Sequence, residues 1–187
     1  MFYGSGGRIF LQTSRDGKRF TRWKDRAGRS WVFGEEPGNG PRERDPMVLR
    51  AYRRWYIYYT GNPNNQGVVY ARTSSDLIHW TEPVVVAFGG RAGVDQSSAE
   101  CPQVVFRHER FYLFRTQRYG RDAQTMVYQS ADPMMFGINQ DERYYVCTLP
   151  VAAPEIVKYR GQDFIAYLEP SLRGIRLDRL DWTADSD

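Results

Sequence analysis

Cysteine, histidine and lysine are all scarce in this chain of 187 residues. Cys101 and Cys147 are the two cysteines, far apart and without a CxxC spacing, so neither a zinc site nor a disulfide framework is expected. His79 and His108 fall in no metal-ligand spacing either, and the sequence asks for no metal and no cofactor. Lysine occurs only at Lys18, Lys24 and Lys158, so the net charge of +4 rests on arginine. Those arginines are interleaved with acids, as in Asp141-Glu142-Arg143 and Arg176-Leu177-Asp178-Arg179, and form no basic run. They read as solvated strand faces and loops, with nucleic acid not expected as a partner. No window approaches the roughly 18 uninterrupted apolar residues of a membrane span. Met1-Phe2-Tyr3-Gly4-Ser5-Gly6-Gly7 shows neither a basic leader nor an apolar h-region, so no secretory signal is expected and the default compartment is the cytoplasm. The Gly-rich residues 34–40 lack a following Lys-Ser/Thr and a helix, which excludes a phosphate loop and leaves a connector.

Aromatic residues, by contrast, are plentiful: 13 Tyr, 10 Phe and 5 Trp, or 15% of the chain. That richness favours strands, and the length suffices for one domain with its own core. The strands repeat. Ser14-Arg15-Asp16-Gly17-Lys18-Arg19-Phe20, Ser74-Ser75-Asp76-Leu77-Ile78-His79-Trp80 and Ser130-Ala131-Asp132-Pro133-Met134-Met135-Phe136 share the frame Ser-x-Asp-x-x-x-aromatic. Asp178 and Trp182 keep part of it in a fourth copy. Each copy follows a β-like run, and its Ser and Asp side chains are suited to close a turn on nearby backbone N–H groups. A second repeat opens each unit: Asp45-Pro46-Met47-Val48-Leu49, Cys101-Pro102-Gln103-Val104-Val105 and Ala153-Pro154-Glu155-Ile156-Val157 place Pro at the start of a strand. A hairpin and an aromatic strand follow each, as in Trp55-Tyr56-Ile57-Tyr58-Tyr59.

Four antiparallel strands repeating every ~45–60 residues are the mark of propeller blades. The expected fold is therefore all-β, one β-propeller domain over residues 1–187. It comprises a partial blade at 1–36 and blades at 42–90, 97–140 and 143–187, about three and a half in all. Such a ring is open, and its unpaired edges invite self-association.

Two acids stand at matching places in this repeat. Asp45 immediately precedes Pro46, and Glu100 stands two residues before Pro102, at the mouth of the next blade. Equivalent places in neighbouring blades can face one central pocket, although the offset of one residue has no account in the sequence. A carboxyl at Glu100 could donate a proton if burial and a neighbouring carboxylate hold that proton on it. Arg115, Gln117 and Arg118 leave the second strand of the same blade and are candidates to reach a ligand there. Glu155, one residue after the third Pro, could point into the same central pocket but reads first as an outer-face charge.

The Arg44-Asp45-Pro46 and Glu100-Cys101-Pro102 motifs, with Ala153-Pro154-Glu155 and the Asp76-Leu77-Ile78-His79-Trp80 turn, resemble the five-bladed β-propeller glycoside hydrolases of families 32 and 43. The resemblance implies an incomplete five-bladed propeller that acts on furanosidic or related glycosidic bonds of a carbohydrate substrate. By it, Glu100 is the proton donor, Asp45 the carboxylate that holds sugar hydroxyls and stabilises the transition state, and Arg44 a substrate contact. It also implies a first-blade acid and a fifth blade. The expected place of that acid lies ahead of Met1, and Asp16 belongs to the turn repeat, so a truncated or inactive form is the expectation. The alternatives are a non-catalytic carbohydrate-binding propeller and a protein-interaction propeller.

Overall fold

The computed structural model describes residues 1–34 and 42–182. The connector of residues 34–40 therefore lies, beyond Gly34, outside the described residues. Among the described residues, fifteen strands form four antiparallel sheets. The first holds β1 (Phe2–Ser5), β2 (Arg8–Thr13), β3 (Thr21–Arg22) and β4 (Trp31–Gly34), with both β3 and β4 paired to β2. The second runs in chain order through β5 (Arg44–Ala51), β6 (Arg54–Gly61), β7 (Val68–Ser74) and β8 (Val84–Phe88). The third repeats that order in β9 (Glu100–Arg107), β10 (Arg110–Arg118), β11 (Gln124–Ser130) and β12 (Tyr145–Leu149). The fourth has three strands, β13 (Ala152–Tyr159), β14 (Gln162–Leu168) and β15 (Ile175–Leu180). The sheets are the blades of a propeller, and β5, β9 and β13 run side by side at its axis. In the first blade β2 leads into the Ser-Asp turn, as β7 and β11 do, so β1 corresponds to the second strand of the later blades. β1 packs directly on β5, and a Cβ on Gly4 would come within 2.7 Å of Arg44 Cα.

The turn repeat behaves as its chemistry requires. Ser14 Oγ accepts from Gly17 N at 2.9 Å while Asp16 Oδ1 accepts from Arg19 N at 2.8 Å. Ser74 and Asp76 repeat this with Leu77 N at 2.9 Å and His79 N at 2.8 Å. Ser130 and Asp132 do so with Asp132 N at 3.0 Å and Met134 N at 2.8 Å. The fourth copy departs from the expectation. Asp178 lies inside β15 and accepts from Tyr167 OH at 2.6 Å, because Arg176 stands where a Ser would start the turn.

Packing between blades supplies the core. Ile9, Phe33, Ile57 and Tyr59 close the seam between the first and second blades. Tyr56, Tyr58, Val69, Val104, Phe111, Leu113, Tyr128 and Phe136 lie in the cluster that closes the seam between the second and third. Fully burying one such side chain is worth about 1.5–3 kcal/mol, so these seams carry most of the stability. Among the described residues no helix is long and apolar enough to cross a membrane.

Candidate functional site

Each axial strand begins with the same distortion. β5, β9 and β13 carry a bulge at the Pro motif, and Asp45, Cys101 and Ala153 adopt left-handed φ values of 53°, 46° and 48°. A bulge adds a residue and re-aims the side chains around it. Pairing sets the correspondence: Arg44, Glu100 and Ala152 lie opposite Thr60, Thr116 and Leu168 of the second strands. The equivalents of Asp45 are thus Cys101 and Ala153, and the equivalent of Glu100 is Arg44. This register explains the one-residue offset between the two acids: Asp45 occupies the bulged position and Glu100 the paired position before it.

The register brings the charged side chains of two neighbouring blades together. Arg44 makes a two-pronged pair with Glu100, Nε lying 3.2 Å from Oε2 and Nη2 bonding Oε1. The same Nε is 3.7 Å from Asp45 Oδ2, so the two carboxylate oxygens lie within about 7 Å of each other. Asp45 Oδ2 also accepts from Cys101 N at 3.3 Å and lies 3.4 Å from Thr60 Oγ1. Thr60 Oγ1 reaches Ala99 O at 2.6 Å, tying the second blade to the residue before Glu100. One blade on, Thr116 Oγ1 accepts from Ala153 N at 3.0 Å and Thr125 Oγ1 donates to Val151 O at 2.8 Å. Burial works against the charge of Arg44, but the bond and charge of Glu100, with the charge of Asp45, outweigh it and raise its pKa. Burial, followed by the Asp45 charge, pushes the Cys101 thiol up to about 12, and its Sγ lies 3.4 Å from Tyr119 OH.

A groove of about 410 Å³ opens between Asp45, Pro46, Cys101, Pro102, Ala153 and Pro154, with Met47, Gln103 and Glu155 next along the same strands, while Arg44 and Glu100 adjoin it without lining it. Glu155 therefore lines the groove shared with Asp45, not an outer face. Arg115, Gln117 and Arg118 do not line it. Arg115 is 1% exposed and donates to the carbonyls of Ser98 at 2.6 Å and of Gly89 and Gly93 at 3.3 Å, so it braces the loop before Glu100 from behind. Gln117 is buried with its Nε2 bonded to Arg115 O, and Arg118 is exposed at the end of β10. Asn62 escaped the sequence reading although it accepts from Arg44 Nη1 and donates from Nδ2 to Gln96 O at 2.7 Å. Thr60 was legible in principle, since Thr60 and Thr116 are separated by the 56 residues that also separate Asp45 from Cys101. Among the described residues no group of three or more His, Cys, Asp or Glu side chains is placed to hold a metal ion.

The surroundings match known proteins in fold. A family-43 glycoside hydrolase described as thermostable superposes with a TM-score of 0.70 at 17% identity, over 96% of this chain and 65% of that one. An endo-arabinase from Bacteroides thetaiotaomicron gives 0.62 at 12% identity, over 99% and 74%. The Bombyx mori GH32 beta-fructofuranosidase BmSUC1 gives 0.57 at 18% identity, over 86% of this chain and 36% of that one, and a mutant of it is described in complex with sucrose. This chain thus spans about a third of the fructofuranosidase's length. Comparison with curated proteins gave no match. The family described as "Glycosyl hydrolases family 32 N-terminal domain" matches residues 9–170, with Glu100 and the groove beside Asp45 inside that span, and the chain belongs to that family, with the propeller fold of the family 32 and 43 glycoside hydrolases.

Proposed function

We propose that the axial groove is a sugar site of the glycosidase type, acting on furanosidic or related linkages, with Glu100 as proton donor and Asp45 as the carboxylate that holds sugar hydroxyls. The observation that carries this reading is the meeting of Arg44, Asp45 and Glu100 at one guanidinium beside the groove. Asp45 is oriented by the Cys101 amide, and it can accept from a ring hydroxyl as positive charge develops at the anomeric carbon. For Glu100 to protonate a leaving oxygen, Arg44 must release one of its two carboxylate oxygens. A bound sugar that draws on Arg44 would do this and couple binding to proton donation. A two-carboxylate mechanism needs a partner for Glu100 as base or nucleophile. Among the described residues the acids lining the groove are Asp45 and Glu155, so the hydrolytic reading extends to the whole protein in which a first-blade acid is supplied.

A second reading, carbohydrate binding without cleavage, is favoured by one observation: both Glu100 oxygens are engaged by Arg44. The two part on kinetics. Under the first, hydrolysis of a fructoside or arabinoside falls by about 10²–10⁴ in Glu100→Gln, the usual worth of a general acid. An unchanged rate removes Glu100 from the chemistry, and a protein that binds sugar but cleaves none of these substrates supports the second. Carbohydrate is the partner on either reading, and self-association through the open ring belongs to this proposal; analytical ultracentrifugation checks it, a purely monomeric protein counting against it.

A further inference from the structure

One position beyond each bulge, the groove is lined by residues of three different chemistries. Met47, Gln103 and Glu155 are the first residues to regain pairing after the three bulges, opposite Tyr58, Phe114 and Ala166. They are equivalent positions carrying a thioether, an amide and a carboxylate. The other interior acids are already engaged: Glu43 with Arg72 at 3.5 Å, Asp163 with Arg107 at 3.4 Å, Asp141 with Arg91 N at 3.0 Å, and Glu100 with Arg44. The Gln103 and Glu155 side chains make no hydrogen bond or ion pair among the described residues. Polar groups placed on a concave surface and unspent within the protein are available to a ligand.

Resting on the reading of the groove as a sugar site, we propose that Gln103 and Glu155 bind hydroxyls of an uncharged sugar unit seated beside Asp45, with Glu155 the stronger contact. A sugar hydroxyl both donates and accepts. Glu155 offers two acceptor oxygens and Gln103 offers donors and an acceptor, so adjacent hydroxyls can be met as a pair. Pro46 and Met47 add apolar lining from β5, which suits the C–H face of a ring. The groove's volume of about 410 Å³ lies in the range of small-ligand pockets, roughly 300–1,000 Å³. The carboxylates of Asp45 and Glu155 disfavour sugars that carry a phosphate or a uronate.

Titration calorimetry with sucrose, 1,5-α-arabinotriose and 1,3-β-galactobiose tests this on wild type, Asp45→Asn, Gln103→Ala, Glu155→Ala and Glu155→Gln. Binding of at least one probe by wild type is expected. Glu155→Ala should weaken it about 10-fold or more, as for hydrogen bonds to a charged group, and Gln103→Ala by about 2- to 10-fold. Glu155→Gln should recover part of the loss, because an amide can still meet a hydroxyl. If Asp45→Asn weakens binding while Glu155→Ala and Gln103→Ala match wild type, this inference fails and the sugar site stands. If wild type binds none of the three, both fail. Glu155 is exposed in the groove, and an unchanged melting temperature in its variants assigns a lost affinity to the contact itself.

Discussion

The seam between the second and third blades and the seam between the third and fourth are built from the same strand order and differ in almost everything else. In the former, Phe111 is completely buried and packs on Phe106 at 4.6 Å and Tyr56 at 6.4 Å, while Tyr58 donates to Pro133 O at 3.0 Å. In the latter, a cavity of about 740 Å³ opens between Tyr112, Phe114 and Val127 on one side and Leu180 and Trp182 on the other. Trp182 spans it by packing on Tyr112 at 5.0 Å and Phe114 at 6.3 Å, with its indole N–H held at 2.8 Å by Asp163 of its own blade. The fourth blade's far face shows Val157, Tyr159, Ile175 and Leu177 at 48–75% exposure. Strand pairing alone therefore makes a blade without making a core. The face that the second blade turns toward the third is buried by it, and the groove, lined by β5, β9 and β13, runs from that closed seam to the open one.

The contrast can be broken by mutation. The largest effect is expected at Phe111→Ala, which should cost about 3–5 kcal/mol in urea unfolding. A loss under 1 kcal/mol would mean that the second seam is no tighter than the third. Ser74→Ala removes an acceptor that closes the second blade's turn and should cost about 1 kcal/mol, whereas Asp178→Ala, in a strand with no such turn, should cost less. The same turn gives a pH signature. Its Asp76 is held below the ordinary carboxylate value of 3.8, first by the bond to His79 and then by backbone N–H donors. The contribution is therefore complete above that value and fades as the pH drops below it. Smallest of all should be Leu177→Lys, within about 0.5 kcal/mol, since Leu177 is 63% exposed. A large loss there would show that the fourth blade's far face is covered in solution.

Much of this was legible in the sequence because it depends on local chemistry. The Ser-x-Asp turns were readable as turns since the side chains bond to backbone within three residues, and where the Ser is replaced by Arg176 the turn disappears. Pro46, Pro102 and Pro154 marked the axial strands for the same reason: a missing N–H is tolerated only at a strand's start or at a bulge. What resisted reading was register. The one-residue offset between Asp45 and Glu100 is set by three bulges, and a bulge leaves no mark in the sequence when its left-handed residue is Asp, Cys or Ala and not Gly. Without the bulges Glu155 reads first as an outer-face charge, and the pairing of Arg44 with Glu100 across two blades is not visible. With them, Arg44 is the counterpart and partner of Glu100, and Glu155 faces the groove. Asn62 could not be found because its two bonds join segments 18 and 34 residues away.

The central claim is that Glu100, gripped by Arg44 beside the groove, donates a proton to the leaving oxygen of a sugar. It is tested most directly by comparing wild type and Glu100→Gln on two aryl furanosides in the whole protein, one with an activated 2,4-dinitrophenyl leaving group and one with an unactivated phenyl group. Proton donation matters little for the first and much for the second. The account predicts a loss of about 10²–10⁴ on the phenyl substrate and a far smaller one on the dinitrophenyl substrate. Equal losses on both, or none on either, would contradict it.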